Sequence, residues 1–240
     1  MSLLIDIILI LIVGFSAWRG YKTGIIRGIT GILALIIALY GGSVLASAYS
    51  GEVSTMLRPF VIGVVDKSLS DVLNDDGSTS TVDEITVNIS LSEEDKKDTY
   101  KLSWAALRNL GLSEKASALI SESTKEISNI VGQDLSVNLT RELCSTLGYV
   151  IVFGIAFILI AIIFAVIGNI ISLTFSIPGI KLIDSIAGAV LGAARGIIIV
   201  LALASLLRYI GLIVPEKFLL ETTLLKWIIE SNPIANIIGI

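Results

Sequence analysis

Residues 147–175, LGYVIVFGIAFILIAIIFAVIGNIISLTF, form one uninterrupted run without a charged side chain. A helix needs about 20 residues to cross the hydrocarbon core of a bilayer, so this run is long enough to span one. Inside lipid the backbone amides must be satisfied within the segment itself, which requires a helix. Two further runs, 24–48 and 186–213, are long enough and almost as free of charge. The sequence therefore predicts an integral membrane protein.

The composition of the 240-residue chain agrees with this prediction. Hydrophobic residues make up 54% of the chain and charged residues only 16%, whereas soluble domains are roughly 25% charged. A shorter apolar segment at 3–17, which carries Asp6, precedes the three long runs. We therefore expect an all-α, polytopic membrane protein with about four transmembrane helices and a helical water-facing segment.

The distribution of charge divides the chain into four parts. Residues 50–145 contain sixteen acidic and nine basic residues, a net charge of −7, while the remainder has a net charge of +3. We expect a transmembrane hairpin at 1–49 (helices 1 and 2), an acidic, largely helical segment at 50–145 and a second transmembrane hairpin at 146–213 (helices 3 and 4). Residues 214–240 mix apolar and charged side chains around a tryptophan, which predicts an amphipathic tail lying in the membrane interface.

Basic residues in the first short connection predict the orientation. Arg19, Lys22 and Arg27 follow the first apolar segment closely, and positive charge in short loops marks the cytoplasmic side. The N-terminus and residues 50–145 are therefore predicted to be extracytoplasmic.

Helical signals also occur within and beyond the acidic segment. A short helix around Trp104 is expected to end at Gly111, a residue type that favours a helix C-terminus. Within 113–131 the apolar and charged side chains are expected to lie on opposite faces of a helix. The apolar set is Ala116, Leu119, Ile120, Ile127, Ile130 and Val131. The third transmembrane helix is expected to begin near Asp134 and to end near residues 177–179.

Residue types exclude several kinds of chemistry. The chain has no histidine and a single cysteine, Cys144, which removes histidine-based catalytic dyads, histidine-ligated metal sites and thiolate clusters. We expect no enzymatic activity, no cofactor and no metal. The acidic water-facing segment also argues against nucleic acid as a partner.

Four charged residues in or near the apolar runs form a candidate intramembrane polar site: Asp6, Arg27, Asp184 and Arg195. A charge at the centre of a membrane helix costs about 2.5 kcal/mol or more on insertion scales, so each one needs a reason. One interpretation is a polar path for ions or protons. The alternative is that Arg195 extends its side chain to the interface, as Arg27 would at the start of its own helix.

Glycines at every fourth position form a candidate helix-packing seam: Gly20, Gly24, Gly28, Gly188, Gly192 and Gly196. Small residues at this spacing let two helices approach closely within membranes. Packing within one chain and a seam between copies in a homo-oligomer both remain open from spacing alone.

The same residues carry a resemblance to a known family. The segments LLIDIILI (3–10), WRGYKTGIIRGITG (18–31) and LIDSIAGAVLGAARGIII (182–199) resemble the colicin V production protein (CvpA) family of bacterial inner-membrane proteins. Members similarly have an early Asp, an Arg-Gly basic hairpin and a later Asp-x-x-x-Gly-x-x-x-Gly-x-x-Arg-Gly motif. The resemblance covers about 1–45 and 145–235, and 50–145 departs from it.

What the resemblance implies is a role in colicin V production or export and, more loosely, in envelope integrity. Because packing motifs are abundant and catalytic motifs are absent, we expect a non-enzymatic inner-membrane protein that supports toxin production or secretion, or envelope integrity, through protein contacts. The partners would be the lipid bilayer, other copies of the chain, and envelope or secretion proteins. The alternative is a small oligomeric channel or transporter whose polar path is lined by Asp6, Asp184 and Arg195.

Overall fold

The computed structural model describes residues 2–74, 98–131, 134–174 and 181–207, and within them every element is helical. The helices are α1 (Ser2–Leu73), α2 (Thr99–Asn109), α3 (Glu114–Val131), α4 (Leu135–Thr174) and α5 (Lys181–Leu207). The predicted all-α class is confirmed. The expected end of the third transmembrane helix near 177–179 and the expected tail at 214–240 lie outside the described residues.

The described residues divide into two compact units. The first unit contains residues 2–48, 152–174 and 181–206, and the second contains Leu207 and the described part of 49–151. Helices α1 and α4 each contribute residues to both units.

Helix α1 consists of two helical arms that contain the two predicted apolar helices, and its direction reverses between them at Gly24. Gly24 has φ 76° and ψ −177°, which no helix accommodates, so α1 has two arms, 2–23 and 25–73. A Cβ at Gly196 would lie 2.9 Å from the Cα of Val13, and a Cβ at Gly31 would lie 3.0 Å from Nη1 of Arg195. In a continuous helix residues 13 and 31 would be about 27 Å apart. Since both contact the same turn of α5, the two arms must run in opposite directions.

Apolar side chains cover the outside of the first unit. Three helices, α1, α4 and α5, are long and apolar enough to cross a membrane, and only 22–33% of each apolar window is buried. Its buried residues include the small Ala38 and Ala202, the aliphatic Leu35 and the aromatic Phe153. A unit whose outside is covered with isoleucines and leucines requires lipid as its surroundings. The structure thus agrees with the membrane location predicted from the sequence.

The second unit has its own apolar core and is also held by polar bonds. Leu107, Leu112, Leu139 and Leu143 are fully buried there. The Ser68 hydroxyl donates to the Ala106 carbonyl at 2.8 Å and links α1 to α2. In the same way, the Asn138 amide donates to the Ser128 hydroxyl at 3.1 Å and links α4 to α3.

The turn between α2 and α3 confirms one local prediction. Gly111 has φ 87°, and the Leu112 N–H donates to the Leu107 carbonyl at 3.2 Å across it. This is the geometry that glycine favours just after a helix. Arg108 fixes the turn by donating to the Leu112 carbonyl at 2.8 Å. Burial lowers the pKa of the Arg108 guanidinium, and the nearby Glu114 acts in the opposite direction.

The predicted apolar face of 113–131 is partly wrong. Ala116 and Ile120 are buried as expected, but Leu119 is 54% exposed and Ile130 is 82% exposed. Small polar residues complete the buried face instead, namely Ser113, Ser117, Ser121 and Thr124. Small side chains on a buried face let a neighbouring helix approach more closely than leucines would.

Candidate functional site

The predicted glycine seam lies inside the first unit, between α1 and α5. A Cβ at Gly20 would lie 2.9 Å from the Gly192 Cα, and a Cβ at Gly188 would lie 2.8 Å from the Gly24 Cα. Backbone atoms cannot yield at such distances, so the two helices can be this close only because both sides are glycine. Four of the six predicted glycines, Gly20, Gly24, Gly188 and Gly192, pack against each other within one chain, whereas Gly28 lies against Leu191 and Gly196 against Val13 and Ser16.

Asp184 belongs to the same contact and has a backbone partner. Its Oδ1 accepts a hydrogen bond from the Ile25 N–H at 2.8 Å. Ile25 begins the second arm of α1, where the first N–H groups of a helix have no partner within the helix. A carboxylate at this position satisfies one of them and interacts favourably with the positive end of the helix. A side chain at Gly24 would overlap the carboxylate, so Gly24 both permits the reversal and makes room for its cap.

Further along the same two helices, Gly31 makes room for Arg195. A Cβ at Gly31 would lie 3.0 Å from Nη1 and 3.3 Å from Cδ of Arg195, so the arginine lies across the backbone of α1. Gly28 lies against Leu191 in a similar way. The second arm therefore presents a smooth surface on which the Arg195 side chain can extend.

Arg195 borders a cavity of about 320 Å³ in the first unit. Arg19, Arg27 and Arg195 all line it, and no aspartate or glutamate is among the lining residues. The rest of the wall combines Ser16, Thr23 and Thr30 with apolar and small residues from α1, α4 and α5, including Phe15, Phe164, Ala165 and Ile199. A volume of this size lies at the small end of ligand pockets in proteins, which start at about 300 Å³.

The four predicted polar residues do not form a single site. Arg27 and Arg195 line the cavity, whereas Asp6 and Asp184 are not among its lining residues. Asp6 is half-buried on the first arm of α1, and its Oδ1 is buried without a hydrogen bond to any described residue. Asp184 caps the second arm. Of the four, only the two arginines line the cavity.

A comparison with known protein families matches two stretches of the chain, residues 5–76 and 117–233, to the colicin V production protein family. The chain belongs to that family. The resemblance seen in the sequence is confirmed, and the match extends further than expected into the water-facing segment. Between the two matched stretches, residues 77–116 are the part of the chain that the colicin V production family model does not match. No curated protein and no solved structure gave a significant match.

Sequence reasoning missed part of the cavity of this colicin V production family member. Arg19 was interpreted only as a marker of orientation, yet it lines the cavity with Arg27 and Arg195. Lys22, from the same basic stretch, is not a lining residue, and its Nζ lies 3.9 Å from the centroid of the Trp18 ring. Helical spacing puts Arg19 and Thr23 on one face of the first arm, four residues apart, but spacing does not show what that face contacts.

Proposed function

We propose that this protein is a non-enzymatic, multi-pass protein of the bacterial cytoplasmic (inner) membrane that supports production or secretion of a colicin V-like toxin, or envelope integrity. It would act through contacts with other proteins. The observation that carries the proposal is the family match, which includes residues of both units.

The proposed arrangement has four membrane crossings. The arms of α1 that meet at Gly24 would provide the first two, and α4 and α5 would provide the others. The reversal at Gly24 and the basic residues around it support a cytoplasmic position for that turn. The N-terminus and residues 50–145 would then be extracytoplasmic, where envelope or secretion proteins are accessible.

Apolar side chains exposed in the second unit are consistent with a contact surface. Met56 is 72% exposed and Phe60 is 78% exposed. Residues four apart in a helix lie on the same face, so the two form one apolar patch on α1. Exposed apolar patches of this kind mark places where other proteins or lipid bind.

Toxin release from a host that lacks its own copy of the protein tests this proposal. We expect F60E to reduce release of a colicin V-like toxin severalfold, because a carboxylate would have to be desolvated in an apolar contact. The matched control is L119E, which makes the same kind of change at an exposed residue of α3. Normal release with F60E would place the contact elsewhere. Normal release from cells without the protein, together with an intact envelope, would overturn the proposed function.

A second candidate function is a small oligomeric channel or transporter with Asp6, Asp184 and Arg195 along a polar path. The observation that favours it is the cavity beside Arg195, although neither Asp6 nor Asp184 lines that cavity. Four spans in one chain are few for a transporter, so several copies would have to assemble.

Ion flux through reconstituted vesicles distinguishes the second candidate from the first. We expect D184N to abolish flux if a carboxylate in the path is required. An asparagine Oδ1 can still accept the hydrogen bond from the Ile25 N–H, so the helix cap survives while the charge is lost. Unchanged flux in D184N, or no flux with the unsubstituted protein, contradicts the channel interpretation.

A further inference from the structure

The arginine-lined cavity of the first unit concentrates positive charge without a carboxylate among its lining residues. Arg19, Arg27 and Arg195 line the same space of about 320 Å³. Arg27 has a further interaction of its own, so the argument for unbalanced charge rests on Arg19 and Arg195. Neither of these two forms an ion pair with a carboxylate in the ranges that the structure describes.

Bringing guanidinium groups together beside helices that cross a membrane is costly. The repulsion between like charges grows as the surrounding dielectric constant falls, and intramembrane charges generally face a partner or an aqueous cavity. The nearby Asp184 carboxylate accepts from the Ile25 N–H and does not line the cavity. An anion from outside the chain would supply the missing charge.

The hydrogen-bond donors that face the cavity suit an oxyanion. A guanidinium presents N–H groups in a planar fork that matches two oxygens of a phosphate or carboxylate. The threonine hydroxyls of the wall are already donors to backbone carbonyls: Thr23 to Gly20 and Thr30 to Ile26 and Arg27. The arginines are therefore the principal donors that a ligand would meet.

Part of the wall is apolar. Phe15, Phe164 and Ile199 line the same cavity as the arginines. A ligand with an anionic group at one end and an apolar surface at the other would contact both parts of the wall. The volume exceeds what a single water molecule needs by about tenfold, which leaves room for a phosphate group and its nearest substituents.

We infer that this cavity is a binding site for a phosphate group, held by Arg19 and Arg195 with Arg27 beside them. The phosphate can come from the headgroup of an anionic lipid or from a soluble phosphate. This site is independent of the proposed role in toxin production, because it depends only on the cavity and its charges.

Binding measurements with the full chain purified in a neutral detergent test the inference. The first probe is inorganic phosphate, titrated by calorimetry. The second is phosphatidylglycerol in mixed micelles, with phosphatidylcholine as the neutral reference lipid. We expect the unsubstituted protein to bind one of the two phosphate-bearing probes, and R19Q and R195Q each to weaken that binding about tenfold or more, as loss of a charge-assisted hydrogen bond predicts.

The matched control is K22Q, which removes one positive charge from the same basic stretch but outside the cavity. It should bind as the unsubstituted protein does. R195K retains the charge without the planar fork, so its affinity for the probe should lie between those of the unsubstituted protein and R195Q. R195K also tests the site if R195Q does not fold. Preference for phosphatidylglycerol identifies a lipid headgroup, and binding of inorganic phosphate alone identifies a soluble ligand. Binding of neither probe, or equal losses in K22Q and R195Q, would overturn the site.

Discussion

At the scale of single residues, a few glycines determine how the first unit packs. Gly24 is required for its conformation, since φ 76° is rarely adopted by any other residue. Gly188 is required for space, because a Cβ there would meet only backbone atoms of Gly20 and Gly24. At Gly14, in contrast, an added Cβ would meet nothing within 4 Å. A side chain is therefore excluded at Gly188 on α5 but has room at Gly14 on α1.

This contrast leads to a stability prediction. G188A should destabilise the protein by about 1–3 kcal/mol or more, the range for overpacking, because the contacting backbone atoms have little freedom to move. G14A should not destabilise it, since alanine favours a helix over glycine by about 1 kcal/mol. Thermal unfolding of the two purified variants in the same detergent checks the difference. Equal midpoints would show that α1 and α5 are not in backbone contact at Gly188.

At the scale of elements, local sequence signals predicted where helices end better than they predicted which helices contact each other. The end of α2 at Gly111 and the start of α4 beside Asp134 follow from residues that act on their immediate neighbours. The reversal in α1 was predicted as a connecting loop. In the structure the first arm continues to residue 23 and a single glycine makes the turn. This is possible because Asp184, from a helix that is distant in the sequence, caps the second arm.

The residues of the cavity also show that contacts between helices are hard to predict from the sequence. Arg27 and Arg195 were identified because a charge in an apolar run is unusual, and both line the cavity. Arg19 was not, because its place in the cavity depends on how three helices meet. The exposed Leu119 has a similar origin: residue type predicts burial on average, whereas the buried face of α3 depends on how closely α2 approaches. Tertiary contacts of this kind leave no periodic pattern in the sequence.

At the scale of the whole molecule, the central prediction concerns the side of the membrane on which each part lies. Single cysteines at Ser78, Lys22 and Lys181, introduced after removal of Cys144, would report this with a membrane-impermeant thiol reagent in intact cells. We expect labelling at residue 78 alone, because the basic residues around Gly24 favour the cytoplasm and α5 begins at Lys181 on the side where α1 reverses. The contact between Asp184 and Ile25 ties those two turns to one side, so residues 22 and 181 must respond together. Labelling at both of them instead would invert the molecule and place the second unit in the cytosol. Labelling at only one would contradict the packing of α5 against α1, whichever orientation the protein has.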